Sequence, residues 1–144
     1  MDDPSADFAS RRLSTVHAVA RVTLALVFLW HGLVPKLLYR HPDEQELMRD
    51  SGLSAERAAS MVMWIGVAEV AYALVLLLAW RIRSLLLVAT VAMAVITPGI
   101  MIGSPRFTPA AFTPVTLNLC VAALGVIGWL AAPKPRERNG PSPS

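Results

Sequence analysis

At 144 residues the chain has room for a single domain, and 55% of it is Ala, Val, Ile, Leu, Met, Phe, Trp, Tyr or Cys against only 16% charged residues. Soluble domains carry about 25% charge, so the polar surface that a water-exposed fold of this size needs is missing. The net charge of +3 is not gathered into a basic stripe with interleaved aromatics, which sets nucleic acid aside as a partner.

Charges are confined to clumps. No Asp, Glu, Lys or Arg occurs in 22–34, 61–68, 70–80, 84–105 or 107–133. A membrane-crossing helix needs about 20 mainly apolar residues, and residues 16–38, 60–80, 85–102 and 114–131 come close. Backbone in lipid must be paired within its own segment, and the runs lack the in–out alternation of barrel strands. The expected fold is therefore all-α, an integral membrane four-helix bundle.

In chain order, residues 1–15 form an N-terminal cytoplasmic segment. Ser10-Arg11-Arg12-Leu13 loosely resembles a twin-arginine export signal, but His17 and Arg21 break the segment behind it and no small-residue cleavage site follows. The first span is thus expected to be retained. In the loop at 41–59, Pro42-Asp43-Glu44 starts a helix and Gly52 stops it. Leu47 and Met48 would lie on the headgroups. Ser54 caps the run into the second span. The third span contains Pro98, which predicts a kink or an early stop. A compact Pro-rich turn at 103–109 leads to the fourth span, and 133–144, rich in Pro, Ser and charge, reads as a disordered cytoplasmic tail. With both termini in the cytoplasm, eight Lys and Arg lie inside and five outside. The tight Arg81-Ile82-Arg83 turn is the best evidence for that orientation.

Polar residues inside spans carry whatever function the sequence discloses, because lipid makes them costly. Glu69 lies near the middle of the second span and must be protonated, paired or facing a wet cavity. His31 lies in the first span with Lys36 above it, Thr97 precedes Pro98, and Asn118 is one turn into the fourth span. Tyr72, three residues after Glu69, can share its face. At 1.5 Å per residue, His31 lies about 10 Å and Glu69 about 14 Å below the outer ends of their helices, and Thr97 and Asn118 about 6–8 Å. The six residues His31, Lys36, Glu69, Tyr72, Thr97 and Asn118 thus predict a polar pocket opening to the outer face, over an inner half of Leu, Val, Ala and Ile. The plainer reading makes Glu69 and Lys36 a helix-joining pair and Asn118 and Thr97 interhelical hydrogen bonds. Trp30, Trp64, Trp80 and Trp129 read as interface anchors, and Cys120 as a core thiol.

One cysteine excludes an intrachain disulfide. His17 and His41 flank opposite ends of the first span, which excludes a bis-histidine haem within one chain. Zinc spacing, a Gly-rich phosphate loop and a nucleophile elbow are missing from the sequence, so a conventional soluble active site is not expected.

Trp30-His31-Gly32-Leu33-Val34-Pro35-Lys36-Leu37-Leu38, Gly66-Val67-Ala68-Glu69 and Phe112-Thr113-Pro114-Val115-Thr116-Leu117-Asn118 together resemble the DoxX-like membrane family over roughly residues 15–132. The resemblance implies a four-helix membrane bundle at 16–132. It also implies association with oxidoreductases, since the family takes its name from a small subunit of a quinone-reducing thiosulfate oxidoreductase. Two functions follow as expectations. One is the membrane subunit or anchor of an oxidoreductase system, with quinone as the possible cofactor, His31 or Lys36 as donor and Glu69 as proton relay. The other is a non-catalytic scaffold, or a small-solute or lipid-binding permease-like protein, with a structural Glu69–Lys36 pair. Both call for a homo-oligomer or a partner oxidoreductase subunit. Eleven Arg against two Lys points to a GC-rich bacterial genome and so to the bacterial inner membrane.

Overall fold

The computed structural model describes residues 4–109 and 113–133, and every regular element among them is helical. Helix α1 spans Pro4–His31, so much of the segment expected as a mere flank is already helical. Pro4 has no N–H to lose in a first turn, and the Asp7–Arg11 pair at 2.8 Å joins the opening turns at i,i+4 spacing. At Gly32 the helix widens into a π-helical segment, Gly32–Leu38. The cause is Pro35, which has no N–H for the His31 carbonyl four residues back and whose ring crowds that carbonyl. The chain shifts to five-residue bonding, with Tyr39 N–H donating to the Val34 carbonyl at 3.0 Å.

Helix α2, Pro42–Asp50, begins where the His41 ring accepts from the Asp43 N–H, with Asp43 and Glu44 in the first turn. Helix α3, Ala55–Leu78, is capped by the Ser54 hydroxyl accepting from Arg57 N–H. Helix α4, Ser84–Gly103, runs on through Pro98, so the early stop expected there does not occur. The proline lies close to the helix end, and Thr97 Oγ1 donates to the Met93 carbonyl at 2.7 Å beside it, the kind of local bonding that lets proline persist in apolar helices. Helix α5, Pro114–Leu130, is capped by Thr113. The tail expected to be disordered, apart from Pro133, and Phe112 lie outside the described residues.

Three helical segments are long and apolar enough to cross a membrane: Ser5–Leu38, Ala55–Leu78 and Ser84–Gly103. Helix α5 is equally apolar but has only 17 residues. Helix α1 is the hub and packs on α3 and α5, α4 packs on α5, and the π-helical segment and α2 pack on α3. The core joins Leu24, Ala25 and Phe28 to Ala73, Leu76, Leu86, Ala89 and Val121. Such alternation of small and large side chains suits helices that meet in lipid, where close contact replaces the hydrophobic drive. Cys120, expected in that core, is exposed instead, because Val121 turns the buried face of α5 inward.

Candidate functional site

The end of the bundle where α1 gives way to the π-helical segment carries the main charged cluster. Lys36 is only 6% exposed, and its Nζ lies 3.0 Å from Glu69 of α3 and 3.4 Å from Glu44 of α2. Backbone proximity makes this possible. A Cβ on Gly32 would sit 2.6 Å from the Gly66 carbonyl, and one on Gly66 would sit 2.9 Å from Lys36 Cβ. Only glycines let the two helices meet this closely, and the widened turn at Pro35 aims Lys36 across the contact. Two carboxylates thus face one ammonium in a largely dry place, where charge pairing is needed to offset lost solvation.

His31 is half-buried at the end of α1, and the charges of Lys36 and Glu44 reach its ring. The ring also borders an apolar groove of about 500 Å³ between α1 and α5, lined by Val27, Trp30, Val34 and Leu117 among others. A smaller cavity of about 180 Å³ lies under α2, against Lys36, Arg40, Gln45, Ser60, Val62 and Met63.

Of the six residues expected to share a pocket, the structure joins Lys36 to Glu69 and sets His31 near Lys36. Tyr72 is engaged elsewhere: its hydroxyl donates to the Leu85 carbonyl at 2.5 Å, and its ring stands edge-on to Phe28 at 4.8 Å. Thr97 bonds back into its own helix. Asn118 is half-buried on α5. Glu44 is the member that sequence reasoning missed. Its signal is the short spacing from Lys36, which the intervening turn folds back on itself.

A second cluster occupies the opposite end, where an inner half of nearly pure Leu, Val, Ala and Ile was expected. Arg21, one of the eight Lys and Arg counted on the cytoplasmic side, is fully buried. Its Nε donates to the Leu76 carbonyl at 2.6 Å, Nη2 to Ala79 at 2.5 Å and Nη1 to Ile82 at 3.2 Å. The guanidinium therefore caps the end of α3 at the Leu76 carbonyl, shares the Ala79 carbonyl with the Ile82 N–H, and lies 5.3 Å from the Trp80 ring centre. One turn earlier, His17 Nδ1 donates to the Gly128 carbonyl at 2.8 Å, and its ring meets Trp80 edge-on at 5.9 Å. Trp80, read as an interface anchor, is thus also a platform for this cluster. The i,i+4 spacing of His17 and Arg21 inside a long helix was the available signal.

Residues 25–126, more than half of the chain, match the profile of the DoxX-like family. Among curated proteins and among solved structures, nothing matches the chain.

Proposed function

The chain belongs to the DoxX-like family, a family of membrane proteins, and from that premise we infer that it is the four-span membrane subunit of an oxidoreductase system, with a site for a quinone. In this reading α5 is the fourth crossing and both termini lie in the cytoplasm of a bacterial inner membrane. Reduction of a quinone consumes two electrons and two protons, so the protein must supply a proton route while a partner enzyme supplies electrons. The observation that carries the reading is the groove beside His31. Its space of about 500 Å³ falls within the range of small-molecule sites, and it combines apolar walls with a few hydrogen-bonding side chains. Lys36, enclosed between two carboxylates, is poorly placed to donate into the groove, and of the lining residues with a side-chain donor, Thr23, Trp30 and His31, we assign His31 as the donor to a quinone carbonyl. Glu69, with its side chain 21% exposed, and Glu44, at 24%, are the carboxylates available to pass protons, and Glu69 is the one carried by a long apolar helix.

The test is a titration of the purified chain in lipid nanodiscs with a short-chain quinone, followed by tryptophan fluorescence. Saturable binding that weakens about tenfold in His31→Ala, the loss of one good hydrogen bond, supports the site. An absence of saturable binding removes it.

A second reading, a non-catalytic scaffold or a small-solute or lipid-binding protein, is favoured by one observation. Lys36 has two carboxylate partners beside a backbone contact at Gly32 and Gly66, which is the geometry of a helix-joining pair. Under that reading the titration shows no saturation, and the chain extracted from its native membrane carries phospholipid and copies of itself, with no redox enzyme.

A further inference from the structure

Helix α2 lies over the Lys36–Glu69 pair, and its attachment is unlike that of any other helix described here. None of its residues is buried, so it contributes nothing to the core. It packs on α3, with Leu47 and Met48 half-buried, and ion pairs toward its two ends add to that contact. Glu44 reaches down to Lys36 at 3.4 Å. At the other end Arg106, in the turn between α4 and α5, lies 3.0 Å from Asp50 and 3.2 Å from Glu46. Glu46 and Asp50 are i,i+4 neighbours and present one face to that arginine. The helix is also bounded by left-handed residues on both sides, Arg40 at φ +46° and Gly52 at φ +86°. For arginine that conformation is uncommon, and it marks the place where the chain turns sharply between the π-helical segment and α2.

The two attachments differ in strength. Lys36 and Glu44 have side chains 7% and 24% exposed, whereas Arg106 is 54% exposed and its partners Glu46 and Asp50 are 48% and 26% exposed. Exposed pairs contribute little and are screened by salt. A segment with no buried residues and a solvent-screened clasp belongs to the part of a fold that opens at low cost.

We propose that α2 is a lid over the charged pair, hinged at Arg40 and Gly52 and latched by Arg106 on Glu46 and Asp50. Closed, it covers one side of the cavity of about 180 Å³ bounded by Lys36, Gln45 and Val62 and narrows the path for bulk water. Open, it admits water to Lys36 and Glu69. The inference rests on the preceding reading for its purpose, which is control of the proton route to Glu69, but its motion is measured without any quinone.

Cys120 is the chain's single cysteine, so Cys120→Ser gives a thiol-free background. Val62→Cys then puts one thiol on the cavity wall, at a position that is 2% exposed. The full chain in detergent is treated with a charged, water-soluble methanethiosulfonate, and the rate of modification is followed. The latched protein should react slowly, and Arg106→Gln should raise the rate by about threefold to tenfold. Molar salt should accelerate the latched protein but add nothing to Arg106→Gln. Exchanging the charges, Arg106→Glu with Glu46→Lys and Asp50→Lys, should restore the slow rate. Amide hydrogen exchange of α2 in a chain carrying only Arg106→Gln gives a second readout that needs no new thiol, and faster exchange confined to α2 is expected. A modification rate and an α2 exchange rate both indifferent to Arg106→Gln overturn the lid. Quinone titration of the same preparations reports separately on the quinone site.

Discussion

Lys36 and Glu69 meet at 3.0 Å, one helical turn from the place where Gly32 and Gly66 leave no room for a Cβ between α1 and α3. The ion pair and the glycine contact are therefore one structural unit, and each should depend on the other. Glu69→Gln leaves the buried ammonium with Glu44 alone, and Lys36→Met leaves Glu69 unpaired. Each is expected to cost about 2 kcal/mol of stability. The double substitution Lys36→Met with Glu69→Leu removes both charges and should cost less than the two single changes together, with a coupling of about 1 kcal/mol or more. Reversible unfolding in mixed micelles measures the cycle. A coupling of zero would mean that the pair adds nothing to the joining of the helices.

The glycine contact has its own expected outcome. In Gly66→Ala the new Cβ meets Lys36 Cβ at 2.9 Å and the Gly32 carbonyl at 3.0 Å. Backbone is on one side of that clash, so α1 and α3 must separate. The expected loss is about 1–3 kcal/mol, together with loss of the Lys36–Glu69 coupling. Gly99→Ala is the control, because a Cβ there meets nothing within 4 Å. It should be neutral or stabilising by up to about 1 kcal/mol, since alanine favours helix over glycine. If both variants behave alike in the unfolding experiment, close packing at Gly66 is not what holds the two helices.

The apolar helices could be read from the sequence because lipid excludes charge: the charge-free run 84–105 nearly coincides with α4, 107–133 contains α5, and 22–34 lies inside the longer α1 and its π-helical continuation. The joining of Lys36 to Glu69 could be read for the same reason: two costly groups in one membrane region are expected to find each other. Depth alone, however, says nothing about which way a side chain faces. Tyr72 and Thr97 were grouped with Glu69 by depth and spacing, yet Tyr72 turns to Leu85 and Thr97 to its own backbone. The role of Glu44 depends on a chain reversal that a positive φ at Arg40 helps to make, and an arginine in the sequence gives no sign of such a φ. Arg21 was hidden differently. Arginines near a span end normally serve as cytoplasmic flanks, and only the tertiary fold shows that the carbonyls at the end of α3 lie within its reach.

The short α5 makes the crossing number testable. Its 17 residues span about 26 Å at 1.5 Å per residue, a little less than the hydrocarbon thickness of about 30 Å. Local thinning of the bilayer accommodates such a mismatch at small cost. Four crossings put both termini on one side. Fluorescent-protein fusions, which mature in the cytoplasm, should be bright at either terminus, and an alkaline phosphatase inserted after Gly52 should be active. Termini on opposite sides would remove α5 from the set of crossing helices and leave it packed against α4 without spanning.

At the opposite end of the bundle, Arg21 is the residue whose replacement is expected to cost most. It donates to the carbonyls of Leu76, Ala79 and Ile82, which link α1 to the end of α3 and to the turn before α4. Lysine keeps the charge but lacks the planar fork that reaches several acceptors at once. Arg21→Lys is therefore expected to lose about 2–4 kcal/mol, close to the loss in Arg21→Met, because both lose the guanidinium's joint hold on the Leu76, Ala79 and Ile82 carbonyls in a buried place. Trp80, in contact with Arg21 and with His17, should report the change through its fluorescence. Unfolding of the two variants decides between two accounts of a buried cation. If Arg21→Met matches the native chain while Arg21→Lys falls well below it, the charge itself is a burden that the hydrogen bonds only balance. If both fall together, the fork of donors is what fastens this end of the bundle.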